Sequence, residues 1–525
     1  MDTEAGRVQG IACKDRTVTV FRGIPYAAPP VGDLRWRPPQ PPPRWEGVRP
    51  ADRFGPMCPQ APTEAAATGV DVPMSEDCLS LNIWTGAPSG EEKRPVLVWI
   101  YGGGFREGTG AHPRYDGEKL ARGGIVVVTF NYRLGVFGFL ATPELSAESE
   151  HGSSGNYGLL DCVAALRWVR DNIERFGGDP GRVTIAGQSA GAGLVNFLAM
   201  SPLAKGLFHR AIAQSHARYA RDPELRYLST SYRLPVDAER AGIRYLLERG
   251  ARGIGQLRSL DWHKLVDGSH PLDTGVDTCG TAAPPLLRPV LDGWAIPAGY
   301  DETYSKGLQN DVDYLTGNNL DESGAVPGAL VASLRTGRRT VRPGSPPVHV
   351  TLEQHRGAAR RKFGPLADEF LRLYPAGTDD EAARASSAAA RDNSRLSTYL
   401  WGVDWTRRTS GSLRTYFWTH RTRAQGRSLR GASHGSEIDY VFHNPEGGTA
   451  SWTEEDHQAA RNLSAYWVNF VASGDPNGSG LPPWPAFSPD TATVMELGAR
   501  FRPTPVSDPA RIDFWMRFFR TQQAW

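Results

Sequence analysis

Cysteine is scarce in this chain. There are five among 525 residues: Cys13, Cys58, Cys78, Cys162 and Cys279. No two fall at a C-x-x-C or zinc-ligand spacing, so the sequence holds neither a dithiol redox motif nor a structural metal site. Long apolar runs are missing too. None approaches the ~20 residues that a helix needs to span a bilayer. The start, Met1-Asp2-Thr3-Glu4-Ala5-Gly6, has no basic and no apolar signal region. As written it predicts a cytoplasmic protein, the alternative being a secreted one with its signal removed. Neither sign of charge dominates: 59 Lys and Arg stand against 57 Asp and Glu, a net +2. That balance argues against nucleic acid as the main partner. The one glycine run is not followed by Lys-Ser/Thr and lacks the Rossmann spacing, so no nucleotide cofactor is expected and no metal.

What is present is loop-forming and strand-forming sequence. Gly (58) and Pro (41) are numerous enough for many loops but too few for a disordered chain. Continuous apolar runs at residues 96–100, 125–130 and 182–186 suit central strands of a parallel sheet covered on both faces. Between the second and third, Leu159, Val163, Leu166, Val169, Ile173 and Phe176 keep helical spacing until Gly177-Gly178-Asp179-Pro180 stops it. Strand, helix, strand is the logic of a doubly wound α/β sheet. The reading is one domain over residues 1–525, with charged helical insertions at about 221–285 and 335–408. The second opens with Arg335, Arg338, Arg339 and Arg342 among Gly and Pro, read as an exposed loop that borders the site entrance in the sharper reading.

The third run leads into Gly187-Gln188-Ser189-Ala190-Gly191 and then a helix-like stretch. A serine between two glycines on a strand-to-helix turn is the nucleophile elbow. Glycines remove the side chains that so tight a turn would crush. A serine hydroxyl needs a base, and the base needs an acid to hold it. In this topology the order is serine, acid, histidine. Residues 313–317 read as a strand whose far end carries Asp321 and Glu322, which position alone does not separate. Beyond them His434, among Gly431, Ala432, Ser433 and Gly435, is the first choice of base, with His420 the runner-up at a strand end. Tyr101-Gly102-Gly103-Gly104-Phe105 follows the first run and brings backbone close to a substrate oxygen, and the Ala190 amide adds a second oxyanion donor.

Together these stretches resemble the type-B carboxylesterases, the group of bacterial para-nitrobenzyl esterases, animal carboxylesterases and cholinesterases. The likeness is carried by residues 21–39 (FRGIPYAAPPVGDLRWRPP), 75–84 (SEDCLSLNIW), 98–105 (VWIYGGGF), 131–140 (NYRLGVFGFL), 155–192, 431–442 and 466–484. The resemblance implies an α/β-hydrolase fold with a mostly parallel sheet and large helical insertions. It implies Ser189 as nucleophile, Glu322 rather than Asp321 as acid, and His434 as base. It implies Gly103, Gly104 and Ala190 as the oxyanion hole, Ser215 and Glu437 as a pair supporting the histidine, and a disulfide between Cys58 and Cys78. The chain departs from the pattern at Gln188, where many members have Glu, at Tyr101, where His is usual, and at Ser323, which separates Glu322 from Gly324.

The expected function is hydrolysis of small-molecule carboxylic esters through an acyl-enzyme, by a monomer or homodimer. Amide or lactone hydrolysis and acyl transfer in secondary metabolism are the alternatives within the same chemistry. A non-catalytic cholinesterase-like binding protein is the alternative outside it.

Overall fold

The computed structural model describes residues 1–14, 16–226, 231–266, 271–276, 283–322, 350–421, 432–445 and 452–525. The Arg335–Arg342 loop, Cys279, Ser323 and Gly324 therefore lie outside the described residues. Among the described residues thirteen strands are formed: β1 (Arg7–Gln9), β2 (Ile11–Ala12), β3 (Thr19–Pro25), β4 (Val48–Pro50), β5 (Ser80–Thr85), β6 (Arg94–Ile100), β7 (Val126–Phe130), β8 (Gly178–Gln188), β9 (Arg210–Gln214), β10 (Asp313–Asn319), β11 (Leu413–Trp418), β12 (Thr493–Leu497) and β13 (Arg502–Pro505). Eleven of them make one sheet in the order β13-β12-β11-β10-β9-β8-β6-β7-β5-β3-β2, while β1 and β4 pair separately.

The seven strands from β12 to β7 run parallel, and every pairing beyond them at both edges is antiparallel. The apolar runs explain the arrangement. Val96–Ile100 and Val126–Phe130 are buried along their whole length, as central strands covered on both faces must be. In the sheet β6 leads to its neighbour β7 on one side, whereas β8 leads to β9 on the other. The loops leaving the adjacent ends of β6 and β8 thus diverge and open a crevice at the C-terminal edge, where open α/β sheets keep their sites.

The helix Tyr157–Asn172, extended by a 3₁₀ turn to Phe176 and closed at Gly177 with φ 79°, joins β7 to β8 as the periodicity predicts. The helix Ala190–Met200 is buried on every face. Its small first turn is what allows this. A Cβ on Gly191 would stand 2.0 Å from the Ile100 carbonyl oxygen.

The first insertion differs from expectation. Helices cover Pro235–Glu248 and Ile254–Arg258, but none of the described residues from 266 to 298 is helical. Pro271, Pro284, Pro285, Pro289 and Pro297 punctuate that stretch and remove the donors that a helix needs. The second block is helical as predicted, at Leu352–Phe363, Ala367–Leu373 and Asp379–Thr406. The strand predicted to end at Gly317 continues to Asn319, because Asn318 and Asn319 keep pairing with Phe417 and Trp418 of β11.

Candidate active site

Register builds the site. Ile100 at the end of β6 sits opposite Gly187 at the end of β8, so the glycine loop and the elbow emerge side by side. Ser189 has φ 59° and ψ −127°, outside the regions that side chains favour. Such a backbone costs about 1–3 kcal/mol and persists only where its surroundings hold it. Here the Ser189 N–H is held by the Gln214 carbonyl at 3.1 Å, and its carbonyl accepts from Gly193 at 2.9 Å. The clamp is tight on both sides. A Cβ on Gly187 would meet the Gly191 carbonyl carbon at 2.5 Å, and one on Gly102 would reach the Ser189 Cβ at 2.9 Å.

The acid and the histidine are brought together by an extension of β10. Asp321 donates its N–H to the Ala432 carbonyl at 2.9 Å and forms a parallel bridge with Ser433. The Asn319 side chain adds a bond to the Ser433 carbonyl at 2.9 Å. Alternation along this extended segment sends adjacent side chains opposite ways. Asp321 turns to Arg391, at 2.6 Å. Glu322 turns to His434, with Oε2 2.6 Å from Nδ1, and its Oε1 accepts from the Asn319 N–H at 2.9 Å. The structure thereby separates the two carboxylates that the sequence left together.

The electrostatics follow from this contact. Burial alone would raise the Glu322 carboxyl, but the His434 charge, its hydrogen bond, the nearby Ser215 hydroxyl and the Asn319 N–H bring it down to about 2. It stays ionised at any working pH. Burial pulls His434 down, yet Glu322 and the more distant Glu437 outweigh it and hold the imidazole above its ordinary 6.5. Glu322 also selects the tautomer with the proton on Nδ1, leaving a lone pair on Nε2. The Gln188 side-chain nitrogen lies 3.2 Å from that Nε2. The same nitrogen is 3.5 Å from Nδ1, so it sits across the ring and not along the in-plane Nε2 lone pair.

A base of this kind works only when neutral. Activity is therefore expected to rise with pH along a limb centred above 6.5 and then reach a plateau. Replacing Glu322 with Gln removes the stabilising charge, and the limb should move to lower pH. A kcat/KM profile for both proteins checks this, and an unmoved limb would detach Glu322 from His434.

The loop expected to hold the oxyanion is shaped by glycine. Gly103 at φ 114° and Gly104 at φ 62° hold conformations that L side chains rarely adopt. A Cβ on Gly103 would also collide with the Glu107 carbonyl oxygen at 2.1 Å. Ala190 is the first residue of the helix behind the serine, at the positive end of that helix. Tyr101 is fully buried under the loop. It stacks on Tyr132 with centroids 4.6 Å apart and receives the Tyr132 hydroxyl on its carbonyl at 3.0 Å.

Ser215 lies by Glu322, whereas Glu437 accepts from Gln214 at 3.0 Å and from Asn319. Each supports the Glu322–His434 contact by its own route. His420, the runner-up base, has its Nε2 bound to buried Asp456 at 2.7 Å, and Tyr440 bonds to the same carboxylate. Cys58 and Cys78 are both fully buried and lie against each other as free thiols, without the expected bridge. The Cys58 sulfur instead accepts the Leu134 N–H at 3.2 Å.

A parallel-centred sheet with a strained serine at the β8 elbow, and a histidine–carboxylate contact delivered from β10 and β11, define an α/β-hydrolase. The sequence profile described as the carboxylesterase family matches residues 1–515, and the chain belongs to that family. It is 39% identical over 519 residues to a fumonisin B1 esterase of Sphingopyxis macrogoltabida, covering 95% of this chain and 86% of that one. Identity to liver carboxylesterase 1 of Oryctolagus cuniculus is 32% over 572 residues, covering 100% and 94%. A solved PNB esterase superposes with a TM-score of 0.77 at 27% identity, covering 98% of each chain. The protein is accordingly a carboxylic-ester hydrolase. No helix among the described residues is long and apolar enough to cross a membrane.

Proposed function

We propose that the chain, acting as one domain, hydrolyses small-molecule carboxylic esters with Ser189 as nucleophile, His434 as base and Glu322 as the acid that orients it. The observation that carries this reading is the 2.6 Å contact of Glu322 Oε2 with His434 Nδ1 beside the strained serine turn. Ser189 Oγ attacks the ester carbonyl carbon as His434 Nε2 takes its proton. The carbonyl oxygen becomes an oxyanion facing the N–H groups of Gly103, Gly104 and Ala190. The tetrahedral intermediate collapses, the C–O bond to the alcohol breaks, and His434 returns the proton to the leaving oxygen. Water then repeats the cycle on the acyl-Ser189 ester and releases the acid.

The test is hydrolysis of p-nitrophenyl esters from acetate to decanoate. Turnover with a maximum along the series is expected and would size the acyl pocket. An intact protein inactive on every length, and unlabelled by a fluorophosphonate, would overturn the reading in favour of a binding role.

A further inference from the structure

The base is held by its backbone as well as by Glu322. The carbonyl of the residue before it, Ser433, accepts from the Asn319 side chain at 2.9 Å. The carbonyl of the residue after it, Gly435, accepts from Arg114 Nη2 at 2.8 Å. The other donor to this second carbonyl among the described residues is the Ile438 N–H, farther off at 3.4 Å. A hydrogen bond from a charged donor is about twice as strong as a neutral one. Arg114 is therefore the main support on the far side of His434, and the scheme above gives it no part.

The guanidinium is itself fixed. Its Nε reaches Asp439 Oδ1 at 2.6 Å, and its Nη2 reaches Oδ2 at 3.2 Å. Asp439 lies on the short helix Ile438–Val441 that follows the base. Burial works against the charge, but Asp439 outweighs it and holds the group above its ordinary value. One planar side chain thus bridges a carboxylate and a carbonyl, which suits the rigid fork of Arg and not the point charge of Lys.

The Arg114 backbone is anchored too. It lies in the 3₁₀ turn Pro113–Tyr115, and its N–H donates to His112 Nδ1 at 3.1 Å. Burial, with repulsion from Arg114, lowers His112 to about 4, so that nitrogen accepts as part of a neutral imidazole. Upstream, the Gly110 N–H is tied to the Asn131 side chain at 2.8 Å, just past the end of β7. Downstream, Asn444 donates to the Asp116 carbonyl at 2.8 Å, and Lys119 donates to the His443 carbonyl at 2.7 Å. The segment leading away from Gly102–Gly104 and the segment carrying His434 are bonded to each other, and Arg114 makes the contact nearest the base in sequence.

We propose that Arg114 is a positioning residue for the hydrolytic reaction: through the Gly435 carbonyl it sets where the His434 ring stands relative to Ser189. It acts through the backbone beside the base and takes no part in the bond changes. The inference rests on the hydrolase reading above, since it takes His434 to be the base.

The experiment measures kcat and KM for p-nitrophenyl butyrate in the wild type, Arg114→Met, Arg114→Lys and Asp439→Asn. Each rate is normalised to active sites counted with a fluorophosphonate. Arg114→Met loses both contacts. In Arg114→Lys the ammonium is drawn to Asp439 and leaves the carbonyl. Each should lower kcat per site about tenfold with KM within about threefold, because a small displacement of a catalytic group is costly. Asp439→Asn keeps the bond to Gly435, so its kcat per site should stay within about threefold of wild type. A role in stability alone predicts another pattern: Tm falls, most in Arg114→Met and Asp439→Asn, while kcat per site is unchanged. That pattern would overturn the proposal. So would equal losses of kcat in Arg114→Lys and Asp439→Asn, or KM rising in place of kcat falling. Should Arg114→Met fail to fold, the comparison of Arg114→Lys with Asp439→Asn decides by itself. The hydrolase reading is scored separately, by wild-type turnover and its loss in Ser189→Ala.

Discussion

Replacing Ser189 with alanine is expected to lower kcat by about 10⁵–10⁶-fold while leaving KM within a few-fold. The glycine loop at Gly102–Gly104 and the helix behind Ala190 do not depend on the hydroxyl, so substrate should still bind. The turn should also survive. It is held by Gln214, by Gly193 and by the close approach of Gly187 to Gly191, all through backbone. Unchanged thermal unfolding beside lost turnover would therefore assign the effect to chemistry. A variant retaining activity within about tenfold of wild type would mean that water, or another nucleophile, attacks the ester.

The second large effect is expected at Glu322. Its conversion to Gln should reduce kcat by about 10⁴-fold. The geometry gives two reasons. A carboxylate held at about 2 stabilises the imidazolium that forms when Ser189 loses its proton. It also accepts a hydrogen bond from Nδ1–H, which keeps the Nε2 lone pair available. A Gln amide supplies no charge, and with its N–H toward Nδ1 it favours the opposite tautomer. The neighbouring Asp321→Asn is the control. Asp321 is bonded to Arg391 rather than His434, so activity should change less than about threefold. Equal losses in the two variants would show that the β10 extension is being disrupted as a whole.

These two carboxylates also show where reading the sequence stopped. The elbow was legible because its chemistry is local: two glycines, a serine, a strand before and a helix after. Glu322 and Asp321 stand one residue apart, and their roles depend on a bridge to Ser433 that lies 112 residues on. Only the resemblance to a family separated them. His420 looked plausible because it follows a strand, and its partner Asp456 could not be seen without the fold. The central strands were legible from their uninterrupted apolar runs, whereas the first insertion was read as more helical than its prolines permit.

The most direct test of the central claim is to label the active wild-type enzyme with a fluorophosphonate and map the adduct by peptide mass spectrometry. The account predicts a single adduct on Ser189, with ester hydrolysis lost in proportion to labelling. An enzyme that keeps turning over with Ser189 unmodified, or that loses activity through an adduct elsewhere, would contradict it.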